Sequence, residues 1–495
     1  MNVNKNKMNR MRMKKGFFVS AMMLIALVAQ GKVRLPYVLG DNMVLQQQSD
    51  ARLWGWTQPG RTVTVGATWT TETWTAKADK QGKFLLTVRT PKASYTEQAL
   101  TFDDGERLTV SGVLIGEVWV CAGQSNMEMP MKGFGQCPVE GYMDEVIDAN
   151  RWSGIHYVKV PSVMRVKPQD DCEPTEWKAV SPETIGDASA TGYFFAQTVQ
   201  RMLDVPVGLV MANKGGSRVE SWLTKENLEK YTDEPTDSAG IVAFKPEWDY
   251  HRAMLWGNGT FNPVLNYTVR GIIYYQGCSN VGDPGNRYSE RLALLVRQWR
   301  EQFALGEIPF YFVEIAPFHY DDVNADNAAR LREQQFRASQ IIPNSGLVCT
   351  NDLVYPYEAQ QIHPCQKRQV GQRLALLALD GTYGQKGVWS KSASFKDMRV
   401  KGDTVHIHLN DDYGAISRFE DIEGFEVAGA DRVFHPATAV HFWQPGGDYW
   451  NETIAIHSDA VPNPVAVRYC FKNFQPGNLK NAAGLPLFPF RTDDW

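Results

Sequence analysis

Apolar residues along this chain follow two rhythms, and the switch between them sets the organisation. From Val33 to about Leu114, short runs such as Val63-Thr64-Val65 and Phe84-Leu85-Leu86-Thr87-Val88 alternate with Gln58-Pro59-Gly60, Asp79-Lys80-Gln81-Gly82 and Asp103-Asp104-Gly105. Short β-rich runs at regular spacing, with turn chemistry between them, predict a small β-sandwich. From Gly116 to about Gly384 the pattern changes. Val113–Ala122 (interrupted by Gly116-Glu117), Val205–Met211, Gly271–Tyr275, Pro309–Ile315 and Leu347–Cys349 are apolar runs suited to buried parallel strands. Between them, Ser289–Phe303 puts Leu292, Leu295, Val296 and Trp299 at helical spacing with Ser289 as N-cap, and Asn327–Ile342 and Lys367–Leu379 read as further helices. Strand–helix alternation predicts an α/β unit, a parallel sheet with helices on both faces and its active site at the carboxyl ends of the strands. Beyond Gly384, Asp403–Leu409 and Val465–Phe471 return to strand character. The expected divisions are a β-sandwich over 32–114, a catalytic unit over 115–385 and a β-rich region over 386–495.

The N-terminus reads as a leader. Lys5, Lys7, Arg10, Arg12, Lys14 and Lys15 precede an apolar stretch, Gly16 to Ala29, too short to cross a bilayer comfortably. Ala29-Gln30-Gly31 is a small-x-small cleavage site, so residues 1–31 are expected to be a signal peptide and the mature chain an exported, periplasmic or secreted protein, with no membrane insertion after cleavage. The net charge of −4 gives no reason to expect nucleic acid as a partner. The 15 Trp residues are read mainly as core, although flat apolar faces also suit sugar rings. Seven cysteines, Cys121, Cys137, Cys172, Cys278, Cys349, Cys365 and Cys470, are too few for a disulfide scaffold in so long a chain, and no CxxC spacing predicts a metal site.

Four stretches fall at the expected carboxyl ends of strands. They are Gly123-Gln124-Ser125-Asn126-Met127; Asn213-Lys214-Gly215-Gly216-Ser217 with Glu220-Ser221-Trp222; Gln276-Gly277-Cys278-Ser279-Asn280; and Ile362-His363-Pro364 after a loop opening at Asp352. Ester hydrolysis needs a nucleophile, a base and donors for an oxyanion. Ser125 on a tight turn supplies the first and His363 the second. The Ser125 N–H, a glycine N–H at Gly215 or Gly216, and an amide side chain supply the third.

This ordered set resembles the sialate O-acetylesterase family, within the SGNH-type esterases. The matching words are Gly116-Glu117-Val118-Trp119, Gly123-Gln124-Ser125-Asn126-Met127-Glu128, Lys214-Gly215-Gly216, Ser221-Trp222, Tyr275-Gln276-Gly277 and Ile362-His363-Pro364. Asp41-Asn42-Met43-Val44-Leu45-Gln46, Gly484-Leu485-Pro486 and Pro489-Phe490-Arg491-Thr492-Asp493 match at the flanks. The resemblance implies an SGNH-hydrolase-like fold and removal of acetyl groups from sugar hydroxyls, chiefly the 9-O-acetyl of sialic acid, with no metal or organic cofactor. It implies Ser125 as nucleophile, His363 as base, and Ser125, Gly216 and Gln276 as oxyanion-hole members, with Asn280 in reserve.

Two departures qualify this picture. Cys278 stands where the family often has Glu, and Gln360 and Gln361 stand where related esterases often carry Asp before the histidine. The third triad member is therefore either Asp352 or no carboxylate at all, a backbone carbonyl orienting His363 in a Ser-His dyad. Because the words holding Cys278 and Cys365 must converge around the active site, these two are read either as a disulfide that fixes the histidine loop or as two buried free thiols. Arg330, Arg332 and Arg337 are read as a solvated helix face, with a substrate carboxylate as the alternative contact. Acetylated xylan or another plant glycan is the alternative substrate. A non-catalytic glycan-binding protein on an esterase scaffold is the alternative from another functional class.

Overall fold

The computed structural model describes residues 32–232, 234–283, 287–414, 416, 420–446 and 452–495. The expected leader, 1–31, lies outside the described residues.

In chain order the first strands are β1 (Val44–Gln46), β2 (Asp50–Trp56), β3 (Thr62–Ala67), β4 (Thr73–Lys77), β5 (Lys83–Arg89), β6 (Ser94–Asp103), β7 (Arg107–Gly123), β8 (Ile155–Lys159), β9 (Trp177–Ala179), β10 (Val207–Asn213), β11 (Gly271–Tyr275), β12 (Phe310–Val313) and β13 (Ser345–Val348). β7 organises them. Its first part pairs antiparallel with β6 and parallel with β1. Its second part, from Glu117, pairs parallel with β10 and β11. The result is a sheet of 11 strands whose catalytic section runs β13-β12-β11-β7-β10-β8-β9. The division expected near residue 114 thus falls inside one unbroken strand.

Alternation along β7 explains the layers. Val118, Val120 and Ala122 face one core, shared with Leu292, Leu295 and Trp299 of the helix Tyr288–Phe303 and Leu331 and Ala338 of the helix Asn327–Ile341. Trp119 and Cys121 face the other, with Phe194, Phe195 and Val199 of the helix Ala190–Leu203 and Leu374 and Ala378 of the helix Lys367–Gly381. Successive strand residues point to opposite faces, so a run apolar at every position is buried on both. The first core continues into the sandwich through Val44, Leu53 and Val113.

Two readings of the helices change. Ser289 lies inside its helix rather than at the cap, and its hydroxyl donates to Gln334 Oε1 at 2.8 Å. The helix Ala190–Leu203 left no stripe to read, because its residues from Ala190 to Gln197, together with Val199 and Gln200, are all buried.

After Gly381 two four-stranded sheets follow. One joins Ser394–Lys401, Thr404–Asn410, Glu452–His457 and Thr438–Trp443; the other joins Phe434–Pro436, Phe425–Ala428, Ala466–Tyr469 and Phe490–Arg491. Their core around Val405, Ile407, Val427 and Val467 is separate. Polar contacts hold this region to the catalytic section: buried Asn473 accepts from the Ala328 N–H at 2.8 Å and donates to the Asp322 carbonyl at 2.8 Å, and Arg491 pairs with Glu333 at 2.9 and 3.1 Å.

Glu117 fastens the junction of sandwich and catalytic sheet. It is 1% exposed and accepts from Arg270 at 2.8 and 3.1 Å, from Gln47 of the sandwich side at 2.7 Å, and from Tyr383 beyond the last catalytic helix at 2.8 Å. Removing one partner of a buried ion pair leaves the other charge and its hydrogen bonds uncompensated. We therefore expect Glu117→Ala to lower the unfolding free energy by about 3–5 kcal/mol in urea titrations, and Glu117→Gln by less.

Candidate active site

Strand register brings the four words together. Asn213 of β10 and Tyr275 of β11 both sit level with Gly123 at the end of β7. Val313 and Val348 continue the row across β12 and β13. Three of the words begin where β7, β10 and β11 leave this row, and the fourth, Ile362-His363-Pro364, closes the loop that follows β13.

At the end of β7 the chain turns at once. Gly123 has φ +130°, and a Cβ there would collide with the Tyr275 carbonyl of the neighbouring strand. The Gln124 N–H donates to that carbonyl at 2.9 Å, and a one-turn helix, Ser125–Glu128, follows. The residues around Ser125 are each spent on a different neighbour. Gln124 Oε1 accepts from the Gly277 N–H at 2.7 Å. Asn126 donates to the Ile362 carbonyl at 3.0 Å and accepts from Lys367 Nζ at 2.6 Å. Met127 O accepts from the Ser189 hydroxyl at 2.6 Å, and Glu128 Oε2 accepts from the Gly215 N–H at 2.5 Å. Ser125, partly exposed, is left at the first helical position, where its N–H has no intrahelical acceptor.

The expected oxyanion donors separate into two groups. The Gly215 N–H is occupied by Glu128. Gly216 follows at φ +76°, with the ring of Tyr250 where a Cβ would lie. Gly215 is close to the nucleophile, since a Cβ on it would lie 3.4 Å from Ser125 Cβ. Gln276 and Asn280 do not present free amides. Gln276 Nε2 donates to the Ser217 carbonyl (3.0 Å) and to Asn280 Oδ1 (2.9 Å), while its Oε1 accepts from Tyr288 (2.9 Å) and Tyr274 (3.3 Å). Asn280 Oδ1 also accepts from the Val219 N–H at 3.0 Å, and its Nδ2 donates to Glu220 at 3.0 Å. Both amides are buried and bonded to protein, and they brace the loops around the strand ends. The N–H groups of Ser125 and Gly216 have no acceptor among the hydrogen bonds of the described residues.

His363 lies next to Ile362, whose carbonyl Asn126 holds, so the histidine loop is pinned to the residue following Ser125. Glu358 closes that loop from below, one carboxylate oxygen accepting from the Tyr355 N–H at 2.8 Å and the other from the Cys365 N–H at 2.9 Å. His363 Nε2 is buried without a hydrogen-bond partner. On its other side, Nδ1 lies 3.9 Å from Cys137 Sγ, and Phe134 meets the ring edge-on at 5.3 Å.

No contact joins Asp352 to His363. Asp352 forms a two-pronged pair with Arg373 at 2.7 and 2.8 Å, and Lys480 approaches it at 3.4 Å. A carboxylate held by two cations is fixed in place as a strut between the helix Lys367–Gly381 and the C-terminal region. The disulfide reading is also set aside: Cys278 and Cys365 are both free thiols. Cys365 Sγ turns toward Glu140 at 3.9 Å, and burial pushes the Cys278 thiol up to about 11. The arginines of the helix Asn327–Ile341 differ in their surroundings. Arg330 pairs with Asp326 at 2.9 and 3.0 Å, and Arg332 is buried and donates to the Lys472 carbonyl at 2.5 Å; Arg337 is exposed.

Sequence reasoning missed Lys367. Its ammonium is buried, bonded to Asn126, and 5.8 Å from the Tyr275 ring centroid. Burial pulls Lys367 down to about 8, against the opposing pull of Glu358 and of the Cys278, Cys365 and Cys137 thiols. Burial, and then the Lys367 charge, hold His363 at about 4, so its imidazole is neutral across the physiological range. Only its place four residues after the histidine marked this lysine in the sequence.

The family described as carbohydrate esterase, sialic acid-specific acetylesterase, matches residues 115–380. Human sialate O-acetylesterase is 25% identical over 400 residues, covering 72% of each chain. The mouse enzyme of the same name is 23% identical over 513 residues, covering 91% of each. The crystal structure of a carbohydrate acetylesterase from Xanthomonas citri superposes with a TM-score of 0.80 at 32% identity, covering 94% of this chain and 100% of that one. The chain belongs to the sialic acid-specific acetylesterase family of carbohydrate esterases.

Proposed function

We propose that this esterase is an exported enzyme that removes acetyl groups from sugar hydroxyls through an acetyl-enzyme formed on Ser125. The observation that carries the reading is that Asn126, the residue after Ser125, holds the carbonyl of Ile362, the residue before His363, whose Nε2 is buried and unpartnered. In this scheme His363 Nε2 takes the proton as Ser125 Oγ attacks the acetyl carbonyl. The N–H groups of Ser125 and Gly216 hold the oxyanion, and His363 returns the proton to the departing sugar oxygen. Water, activated by the same imidazole, then releases acetate and frees the serine. With Asp352 held by Arg373, the unit is a Ser-His dyad whose imidazole is oriented by packing against Phe134 and Cys137. The basic and apolar leader at 1–31 supports export.

Two substrate readings follow. The names of the mammalian relatives favour the 9-O-acetyl of sialic acid. A neutral acetylated glycan, such as acetylated xylan, is favoured by the pairing of Arg330 with Asp326 and by the burial of Arg332, which is 1% exposed and so out of reach of a sialate carboxylate.

Acetate release from 9-O-acetyl sialic acid and acetyl-xylan, compared side by side, separates these readings. Ser125→Ala should lower kcat on a chromogenic acetate ester by on the order of 10^4-fold or more while circular dichroism stays native; full activity in that variant would refute the mechanism.

The pH profile provides a second check. A base held at about 4 predicts that kcat/KM declines on the acid side only as pH approaches 4. A nearby positive charge disfavours imidazolium, so removing it raises the histidine pKa. Lys367→Gln keeps a donor for Asn126 but loses the charge, and we expect its acid limb to move to higher pH.

A further inference from the structure

Two stacked, solvent-facing aromatic pairs stand at the mouth of this site. Trp248 and Tyr250 stack with centroids 5.7 Å apart and planes 11° apart, and Trp248 is 49% exposed. Tyr355 and Tyr357 stack at 5.2 Å and 14°, and Tyr357 is 79% exposed. Each pair is anchored to the machinery already described. The Tyr250 ring lies against Gly216, which precedes it from the end of β10. The Tyr250 carbonyl accepts from Trp256 Nε1 at 3.1 Å, and Arg218 grips the next carbonyl, that of His251, at 2.7 and 3.0 Å. Tyr355 and Tyr357 lie on the histidine loop after β13, where Glu358 holds the Tyr355 N–H and the Tyr355 hydroxyl donates to Glu140 at 3.1 Å. Glu140 in turn donates its N–H to the Cys365 carbonyl at 3.1 Å, two residues from His363. β10 and β13 lie on opposite sides of β7 in the strand order, so the two pairs belong to loops that leave the sheet on either side of the strand leading to Ser125.

Large exposed aromatic faces are unfavourable in water unless something covers them. The apolar C–H face of a pyranose ring fits a flat ring held rigidly in place, and a rigid platform loses little entropy on binding. We propose that Trp248–Tyr250 and Tyr355–Tyr357 are sugar-binding platforms flanking the nucleophile, so that the substrate is an acetylated glycan chain with residues on both sides of the acetylated unit, not a single acetylated sugar. This rests on the reading of Ser125 and His363 as the catalytic pair.

A third stacked pair provides the control. Trp389 and Tyr413 stack at 4.8 Å and 6° with Trp389 49% exposed, but they lie beyond the far end of the helix Lys367–Gly381, where Ser390 bonds Asp380.

The test compares acetylated xylohexaose with peracetylated xylose and 9-O-acetyl sialic acid, by acetate release, and measures binding of acetylated xylohexaose to Ser125→Ala by calorimetry. The wild type should prefer the hexaose. Trp248→Ala and Tyr357→Ala should each reduce that preference, and each should weaken hexaose binding in the Ser125→Ala background, by about tenfold; Trp389→Ala should do neither. Equal turnover of hexaose and monosaccharides overturns the proposal, as does unchanged hexaose binding in both platform variants. Sedimentation showing a dimer abolished by Trp248→Ala overturns it too, the pair then covering a second copy. The binding readout requires no catalysis, so a Ser125→Ala enzyme that still releases acetate would sink the mechanism while the platforms stand or fall on affinity.

Discussion

The 17 residues of β7 are shared by two sheets. Its first part satisfies the sandwich and its second part forms the centre of the catalytic sheet, so every hydrogen bond that aligns β10 and β11 on Gly123 depends on a strand also held by β6 and β1. The end of β7 is where the chain turns into Ser125, which places the nucleophile at the tip of an element braced from both directions. Glu117, at the crossover, ties sandwich, sheet and last helix to one buried carboxylate. A burial this complete is tolerable only because each carboxylate oxygen has donors.

Around Ser125 the polar atoms follow one logic. Gln124, Asn126 and Glu128 each bind the loop leaving a different strand, and Gln276 and Asn280 brace the floor. Pre-set loops suit a reaction whose charge appears on a single oxygen, because the donors need not reorganise as it forms. The base fits the same plan. A neutral imidazole is secured by burial and by the neighbouring ammonium, where a carboxylate would have pulled the other way.

Much of this was legible in the sequence, for reasons that show where legibility stops. The strands Gly271–Tyr275 and Phe310–Val313 announce themselves because double-sided burial demands unbroken apolar runs. The words at their ends are short-range features, so Ser125 and His363 stand out at once. The partners of Asp352, Gln276 and Asn280 were not legible, because sequence shows which groups are capable of a role but not which neighbours they bond. Arg373 lies 21 residues from Asp352, and Tyr288 lies 12 from Gln276. Lys367 shows the same limit from the other side, since its burial is decided by Tyr275 and Asn126, far away in the chain. The Cys278–Cys365 bridge failed because convergence of two loops does not fix which way their side chains turn.

Gly216 carries two burdens in one residue. Lacking a side chain, it accommodates φ +76° and lets the Tyr250 ring pack where a Cβ would lie. The segment that supplies Trp248 and Tyr250, between β10 and β11, contributes no strand to the sheet. A Cβ at position 216 would therefore strike the Tyr250 ring, so the turn after β10 and the seating of that aromatic depend on the same missing side chain.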